Sequence, residues 1–349
     1  MNIAFIGFGG VGQALAEILH ERQEKLEQEY GLKAKVVAVA DKMKGSVYHP
    51  DGLDVPQLIQ SVREDGNIEA YSNAETYGLD SIQTIKDTNA DMIVEVTFTD
   101  VQTGQPAIEH CETAFKHGKS VVTTNKGPVA LKLEELQALA DENDCFFGFE
   151  GTVMSGTPAL RLPKTTLMGN DIKEVVGILN GTTNYILTEM EKGFSFNQAL
   201  KQAQEYGYAE ADPTSDIEGY DVRYKTAILS HYVMGEAISA LEIPCEGIRE
   251  MTQDMIQEAL GENKHWKLLA RIKKTPHGIE AAVGPEKISN DHPLASIQGA
   301  TNAIMYDCDL AGPIMLTGAG AGLKETGFSL LIEMIHVQQS RTNNSFIVR

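Results

Sequence analysis

The chain has 349 residues, 42% of them hydrophobic and 22% charged, which is the make-up of a folded globular protein long enough for two domains. A formal net charge of −20 excludes a nucleic-acid surface, which needs a basic patch, and disfavours an anionic membrane. No apolar run reaches the ~20 residues of a bilayer span, no signal peptide is expected, and the four cysteines (Cys111, Cys145, Cys245, Cys308) form no C-x-x-C pair, so a reducing cytoplasm is predicted.

NIAFIGF (2–8) reads as a buried strand, and VGQALAEILHERQEKLEQEY (11–30) follows with helical spacing. AKVVAVAD is a second strand ending at Asp41, and residues 43–55 read as a loop with Pro and Gly punctuation. Strands at DMIVEVTF (91–98), KSVVTTN (119–125) and CFFGFE (145–150) enclose helices at 104–118 and 129–143. Cys145 reads as a small buried apolar residue. Alternating strands and helices predict a parallel sheet covered on both faces.

The pattern then changes. IKEVVGILN (172–180) is a strand, residues 184–193 and 195–207 are helical, and 215–235 form a longer helical stretch. Residues 266–274, 279–289, 301–307 and 312–318 look like strands of an antiparallel sheet. The last segment, GAGAGLKETGFSLLIEMIHVQQ (318–339), is a second glycine loop leading into a helix, and it is expected to fold back onto the first domain.

Gly7, Gly9 and Gly12 form G-x-G-x-x-G between a strand and a helix. The first allows a tight turn, the second a close approach of pyrophosphate, and the third close packing of helix on strand, while the helix N-terminus attracts the phosphates. The segment is read as holding NAD or NADP, with Gly10 and Val11 in the same turn. Asp41, ending the second strand, suits the ribose hydroxyls of NAD. Lys42 and Lys44 suit the 2′-phosphate of NADP. The reading leans to NADP with Asp41 turned aside. Lys126 sits past the end of a strand, at the edge where ligands bind in such sheets.

The fold class is therefore α/β. It comprises a Rossmann dinucleotide-binding domain (1–150, completed by 318–349) and an α+β substrate-binding and dimerisation domain (151–317).

Residues 206–225, YGYAEADPTSDIEGYDVRYK, are rich in acids. Asp221 and Lys225 stand at i and i+4 and share one helix face. Reduction of a carbonyl needs a proton donor near its oxygen. A lysine serves when its surroundings tune it, and an acid four residues away orients the ammonium. Other carboxylates of the segment can hold a substrate ammonium group.

The chain resembles homoserine dehydrogenase, in the short form without a C-terminal ACT regulatory domain. The resemblance runs through GFGGVG (7–12), SVYHPDGLD (46–54), VTFTD (96–100), TTNKGPVA (123–130), EGTVMSGTP (150–158), LNGTTNYIL (179–187), GYAEADPTSDIEGYDVRYK (207–225) and GAGAGLKET (318–326). It implies reversible NAD(P)H-dependent reduction of L-aspartate-4-semialdehyde to L-homoserine, a step of threonine and methionine biosynthesis.

It further implies Lys225 and Lys126 as the acid/base pair, with Asp221 holding Lys225. Glu210, Asp216, Gly181, Thr182 and Tyr208 would bind substrate. Thr97 and Thr99 would line the nicotinamide, with Gly322 and Thr326 also on the cofactor. A monovalent cation, sodium or potassium, would lie on Glu150 and the backbone of Val153, Ser155 and Thr157. A homodimer is expected, with a small-molecule amino-acid substrate as the other partner.

The sequence departs from the family pattern at Ala319, in GAGAG rather than GPGAG, and at Arg223 and Tyr224. His110, His117 and His231 read as helix-surface or packing residues. Two rival readings are a dehydrogenase of another small amino-acid aldehyde and a cofactor-binding regulatory protein without turnover. The joint presence of Glu210, Asp221, Lys225 and Lys126 speaks against the second.

Overall fold

The computed structural model describes residues 1–342 and separates into two compact units. One comprises Met1–Thr152 together with the chain from Gly322 onward, and the other is Val153–Ala321.

The first unit runs β1 (Asn2–Ile6), α1 (Gly10–Glu21), α2 (Gln23–Tyr30), β2 (Lys35–Asp41), β3 (Gly45–Tyr48), α3 (Val55–Asp65), β4 (Thr76–Tyr77), α4 (Ser81–Asp87), β5 (Met92–Glu95), α5 (Ala107–Lys116), β6 (Ser120–Thr123), α6 (Lys126–Glu142) and β7 (Phe147–Gly148). The sheet order is β4-β3-β2-β1-β5-β6-β7. Strands β2 to β7 on either side of β1 run parallel, except that β3 and β4 add an antiparallel edge. That edge corrects the reading of residues 43–55 as a loop. Ser46 and Val47 are buried within it, and β3 pairs with β2 from Ala38 to Asp41. The Pro and Gly that suggested a loop lie just beyond, at 50 and 52.

The predicted helix over 11–30 is two helices, α1 and α2, interrupted at Arg22, whose backbone leaves the helical region. Strands β1, β2, β5 and β6 are almost wholly buried, as expected of a parallel sheet with both faces covered.

In the second unit come α7 (Gly151–Met154, which begins in the first), α8 (Arg161–Thr165), β8 (Ile172–Ile178), α9 (Gly181–Glu191), α10 (Phe196–Glu205), α11 (Thr214–Ile217), α12 (Tyr220–Tyr232), α13 (Gln253–Gly261), β9 (Lys264–Thr275), β10 (Gly278–Ser289), β11 (Thr301–Cys308) and β12 (Gly312–Ala319). The five strands form one antiparallel sheet in the order β10-β9-β8-β11-β12. Helices α9, α12 and α13 pack on it. The helical stretch predicted over 215–235 is broken at Gly219, which has φ +78 and starts α12 anew. The break sets the direction of α12, and α12 carries Asp221 and Lys225.

The last helix, α14 (Leu323–Thr342), belongs to the first unit. Leu330, Leu331, Met334, Ile335 and Val337 join Ile3, Phe5, Leu15 and Leu19 in one buried cluster. At Gly327 an added Cβ would lie 3.1 Å from the Leu15 nitrogen, so a side chain there would press on α1. Among the described residues no helix is long and apolar enough to cross a membrane, and all four cysteines are free thiols.

Candidate active site

In the first unit the glycine loop lies where strand order reverses, between β1 and β5, which is the ligand crevice of an open α/β sheet. Its glycines have different physical reasons. Gly7 has φ +90, and an added Cβ would meet the Val96 carbonyl oxygen at 2.6 Å. At Gly12 an added Cβ would lie 3.0 Å from the Gly7 oxygen. At Gly9 it would meet nothing within 4 Å. The protein itself therefore demands the first and third glycines, and the second leaves open space beside the N-terminus of α1. That space fits the pyrophosphate of a dinucleotide. Gly10 is covered by Leu323 of α14, one residue past Gly322.

Asp41 is not turned aside. One of its carboxylate oxygens accepts the Phe8 N–H at 2.8 Å, and the other accepts the N–H groups of Met43 and Lys44 at 3.0 and 3.1 Å. Lys44 Nζ donates to the same side chain at 3.3 Å, whereas Lys42 is exposed. Burial pushes the Asp41 carboxyl up, but these donors outweigh it and hold it below the usual carboxylate range. The carboxylate faces the glycine loop because two backbone segments need an acceptor there.

Lys126 is the first residue of α6 and half-buried, rather than a loop residue. Asn125 caps that helix through the Gly127 N–H and donates to the Phe98 carbonyl at 3.0 Å, tying the helix start to the segment bearing Thr97 and Thr99. Thr97 donates its hydroxyl to the buried Glu95, while Thr99 is exposed. Of the two readings of His110, surface or packing, the second holds: it is 4% exposed, with Nδ1 3.3 Å from Glu95. Gly322 has φ +129, and Thr326 follows in the first turn of α14.

The second unit gathers Asp216, Asp221, Lys225 and Thr182. Lys225 is 7% exposed, and its ammonium donates to Asp221 Oδ2 and to the Leu179 carbonyl, both at 2.7 Å. Asn180, which the sequence reading overlooked, joins the two acids. Its amide nitrogen donates to Asp216 at 2.7 Å and to Asp221 at 3.0 Å, while its oxygen accepts the Thr183 N–H and caps α9. An Asn directly before Gly181-Thr182 is a helix-start signal, and that signal was available. Gly181 allows close packing, since an added Cβ would lie 2.7 Å from the Ala300 oxygen. Thr182 donates to the Tyr208 carbonyl at 2.5 Å. The Tyr208 ring is half-exposed beside Tyr185 and Tyr206. Glu210 is exposed, and its side chain makes no hydrogen bond among the described residues. The Arg223 guanidinium lies over the Tyr220 ring at 5.0 Å.

Of the residues implied for a cation, Glu150 is buried in the first unit. Val153, Ser155 and Thr157 belong to the second, with Ser155 at φ +51. Their oxygens suit a hard cation in type. No group of three or more His, Cys, Asp or Glu side chains able to hold a metal ion occurs among the described residues.

A parallel sheet with an open glycine at its crevice, and a buried lysine oriented by a carboxylate, define a dinucleotide-dependent oxidoreductase. The model for the NAD-binding domain of homoserine dehydrogenase matches residues 7–150, and the homoserine dehydrogenase model matches 158–335. The chain is 45% identical to an NAD(+)-dependent homoserine dehydrogenase of Pseudomonas canavaninivorans, over 98% of this chain and 97% of that one. It is 39% identical to the homoserine dehydrogenase of Methanocaldococcus jannaschii, over 97% and 99%. A hyperthermophilic archaeal homoserine dehydrogenase solved in complex with NADPH superposes with a TM-score of 0.83 at 29% identity, covering 100% of this chain and 99% of that one. The chain belongs to the homoserine dehydrogenase family, and its cofactor is NAD(P).

Burial, followed by the nearby charge of Asp221, raises the Asp216 carboxyl above its ordinary value, against hydrogen bonds from Asn180 and Thr182 and the charge of Lys225. A carboxyl raised by folding contributes stability that is complete below its unfolded value and is lost as pH rises through the folded one. Asp216→Asn is therefore expected to increase stability at neutral pH, with the gain vanishing below the ordinary carboxylate value. Urea unfolding at neutral and at acid pH checks this, and a gain at acid pH or a loss at neutral pH contradicts it.

Proposed function

We propose that the chain interconverts L-aspartate-4-semialdehyde and L-homoserine, with Lys225 as the proton donor to the aldehyde oxygen. Bound NAD(P)H supplies the hydride that reaches the carbonyl carbon. As that C–H bond forms, the carbonyl π bond opens, the oxygen takes a proton from Lys225 Nζ, and the amine is left neutral. Oxidation of homoserine reverses each transfer.

The observation that carries this reading is the environment of Lys225. Two of its three ammonium hydrogens are held by Asp221 and by the Leu179 carbonyl. The third is left for a substrate oxygen, and the direction of the amine is fixed. Asp221 is a positioning group for that lysine. Glu210, Asp216, Gly181, Thr182 and Tyr208 are assigned to the amino-acid end of the substrate. Lys126, Thr97, Thr99, Gly322 and Thr326 are assigned to the cofactor unit, with Lys126 as a second candidate for proton transfer. Lys225→Ala should lower kcat for homoserine oxidation by ~10²-fold or more while cofactor still binds. A near-normal kcat would sink the assignment.

A preference for NAD over NADP belongs to the same reading. An ionised Asp41 at the end of β2 accepts ribose hydroxyls and repels a 2′-phosphate. Asp41→Asn keeps an acceptor for the Phe8 N–H and removes the charge. The ratio of kcat/KM with NADP to that with NAD should then rise by about tenfold. An unchanged ratio refutes the role.

The second unit is also assigned to dimer formation. Its edge strand β12 alternates half-buried and exposed residues, with Met315 exposed and Leu310 beside it 76% exposed. An unpaired edge of this kind invites a partner. Light scattering at micromolar concentration should give the mass of two chains, and a monomer mass rejects it.

A further inference from the structure

We infer that Glu95 is a charged positioning residue for the cofactor, one that favours the oxidised, positively charged nicotinamide over the reduced one. The inference rests on the proposed assignment of Thr97 to the nicotinamide.

Glu95 ends β5, the strand beside β1 at the crevice, with Ile6 and Thr123 as its neighbours across the sheet. Its exposure is 0%. One carboxylate oxygen accepts the Thr97 N–H at 3.3 Å and the Thr97 hydroxyl, and lies 3.3 Å from His110 Nδ1. The other lies 3.2 Å from the Thr123 hydroxyl, which donates to the Glu95 backbone carbonyl at 2.8 Å and accepts the Asn125 N–H at 2.9 Å. Thr97 thus presents both its N–H and its O–H to the carboxyl group, which suits it as an acceptor. The two oxygens tie together the turn bearing Thr97 and the turn that starts α6 at Lys126.

Stability alone does not account for such a group. A buried charge is costly to desolvate, and well-packed apolar residues in its place are often as stable. A fixed negative charge behind the crevice has another consequence. The nicotinamide ring is neutral when reduced and cationic when oxidised. A carboxylate held two residues before Thr97, in the turn assigned to the ring, attracts only the cationic form. In low-dielectric surroundings that attraction is weakly screened.

The test is the ratio of dissociation constants for NAD⁺ and NADH, measured by calorimetry at pH 8.5 in wild type and in Glu95→Gln. The glutamine keeps the shape and one acceptor oxygen. The ratio Kd(NAD⁺)/Kd(NADH) should rise by about fivefold or more in Glu95→Gln. Glu95→Asp draws the charge back by one methylene. It should move the ratio in the same direction by about twofold, and it serves as the readout if the glutamine variant does not fold.

Equal weakening of both forms, with the ratio unchanged, would show a purely structural role and overturn the inference. Unchanged affinities for both forms in Thr97→Val overturn the assignment of Thr97 on which it rests. A Thr97→Val variant separates the two effects further. It removes a contact without removing charge, so both affinities should fall together.

Discussion

The ammonium of Lys225 is the charge on which the second unit's site depends. It is removed from water almost entirely, so it persists only where negative and carbonyl groups surround it closely. Asp221 and the Leu179 carbonyl meet that need from two different chain segments. Asn180 then meets a second need. Asp216 and Asp221 approach each other because both bind its amide nitrogen, and a neutral donor between two carboxylates is what allows that approach. The same side chain caps α9. The end of β8, the start of α9, the short α11 and the first turns of α12 are therefore fixed by one connected set of polar contacts. Geometry of this kind is costly to leave incomplete, which makes it an effective way to hold a reactive lysine in one direction.

The first unit solves a different problem, that of giving space to an anion in a protein with a large negative charge. It does so with backbone. The open side of Gly9 and the N-terminus of α1 provide partial positive charge without a basic side chain. The carboxylate of Asp41 is held close by, its charge partly met by the Phe8 N–H and the Lys44 ammonium. Glycines that look alike in the sequence thus divide into those required by the fold and one left free for a ligand.

Much of the fold was legible because the buried strands are short, apolar and punctuated. β1, β2, β8 and the strands of the second sheet follow the hydrophobic pattern closely. β3 was hidden because only Ser46 and Val47 are buried, too few to make a pattern, and Pro50 and Gly52 dominate the reading. The division of α12 from α11 was hidden because a single glycine within helical spacing is ambiguous until its φ is known. In the site, Lys225 and Asp221 could be found from their four-residue spacing. Asn180 lies 41 residues from Asp221, and only the packing of α9 against α11 brings these segments together. The contact of His110 with Glu95 was hidden for the same reason. Helical spacing gives the face of a residue on its own helix, and not the carboxylate that waits on a neighbouring strand.

The return of α14 to the first unit makes that unit discontinuous in sequence. During synthesis β1 and the glycine loop leave the ribosome well before Leu330, Leu331, Met334, Ile335 and Val337, which share their core. The unit between them, Val153–Ala321, is delivered whole and uninterrupted. Until α14 is made an apolar surface on α1 stays uncovered, so the cofactor cradle is completed only after the whole intervening unit has been synthesised.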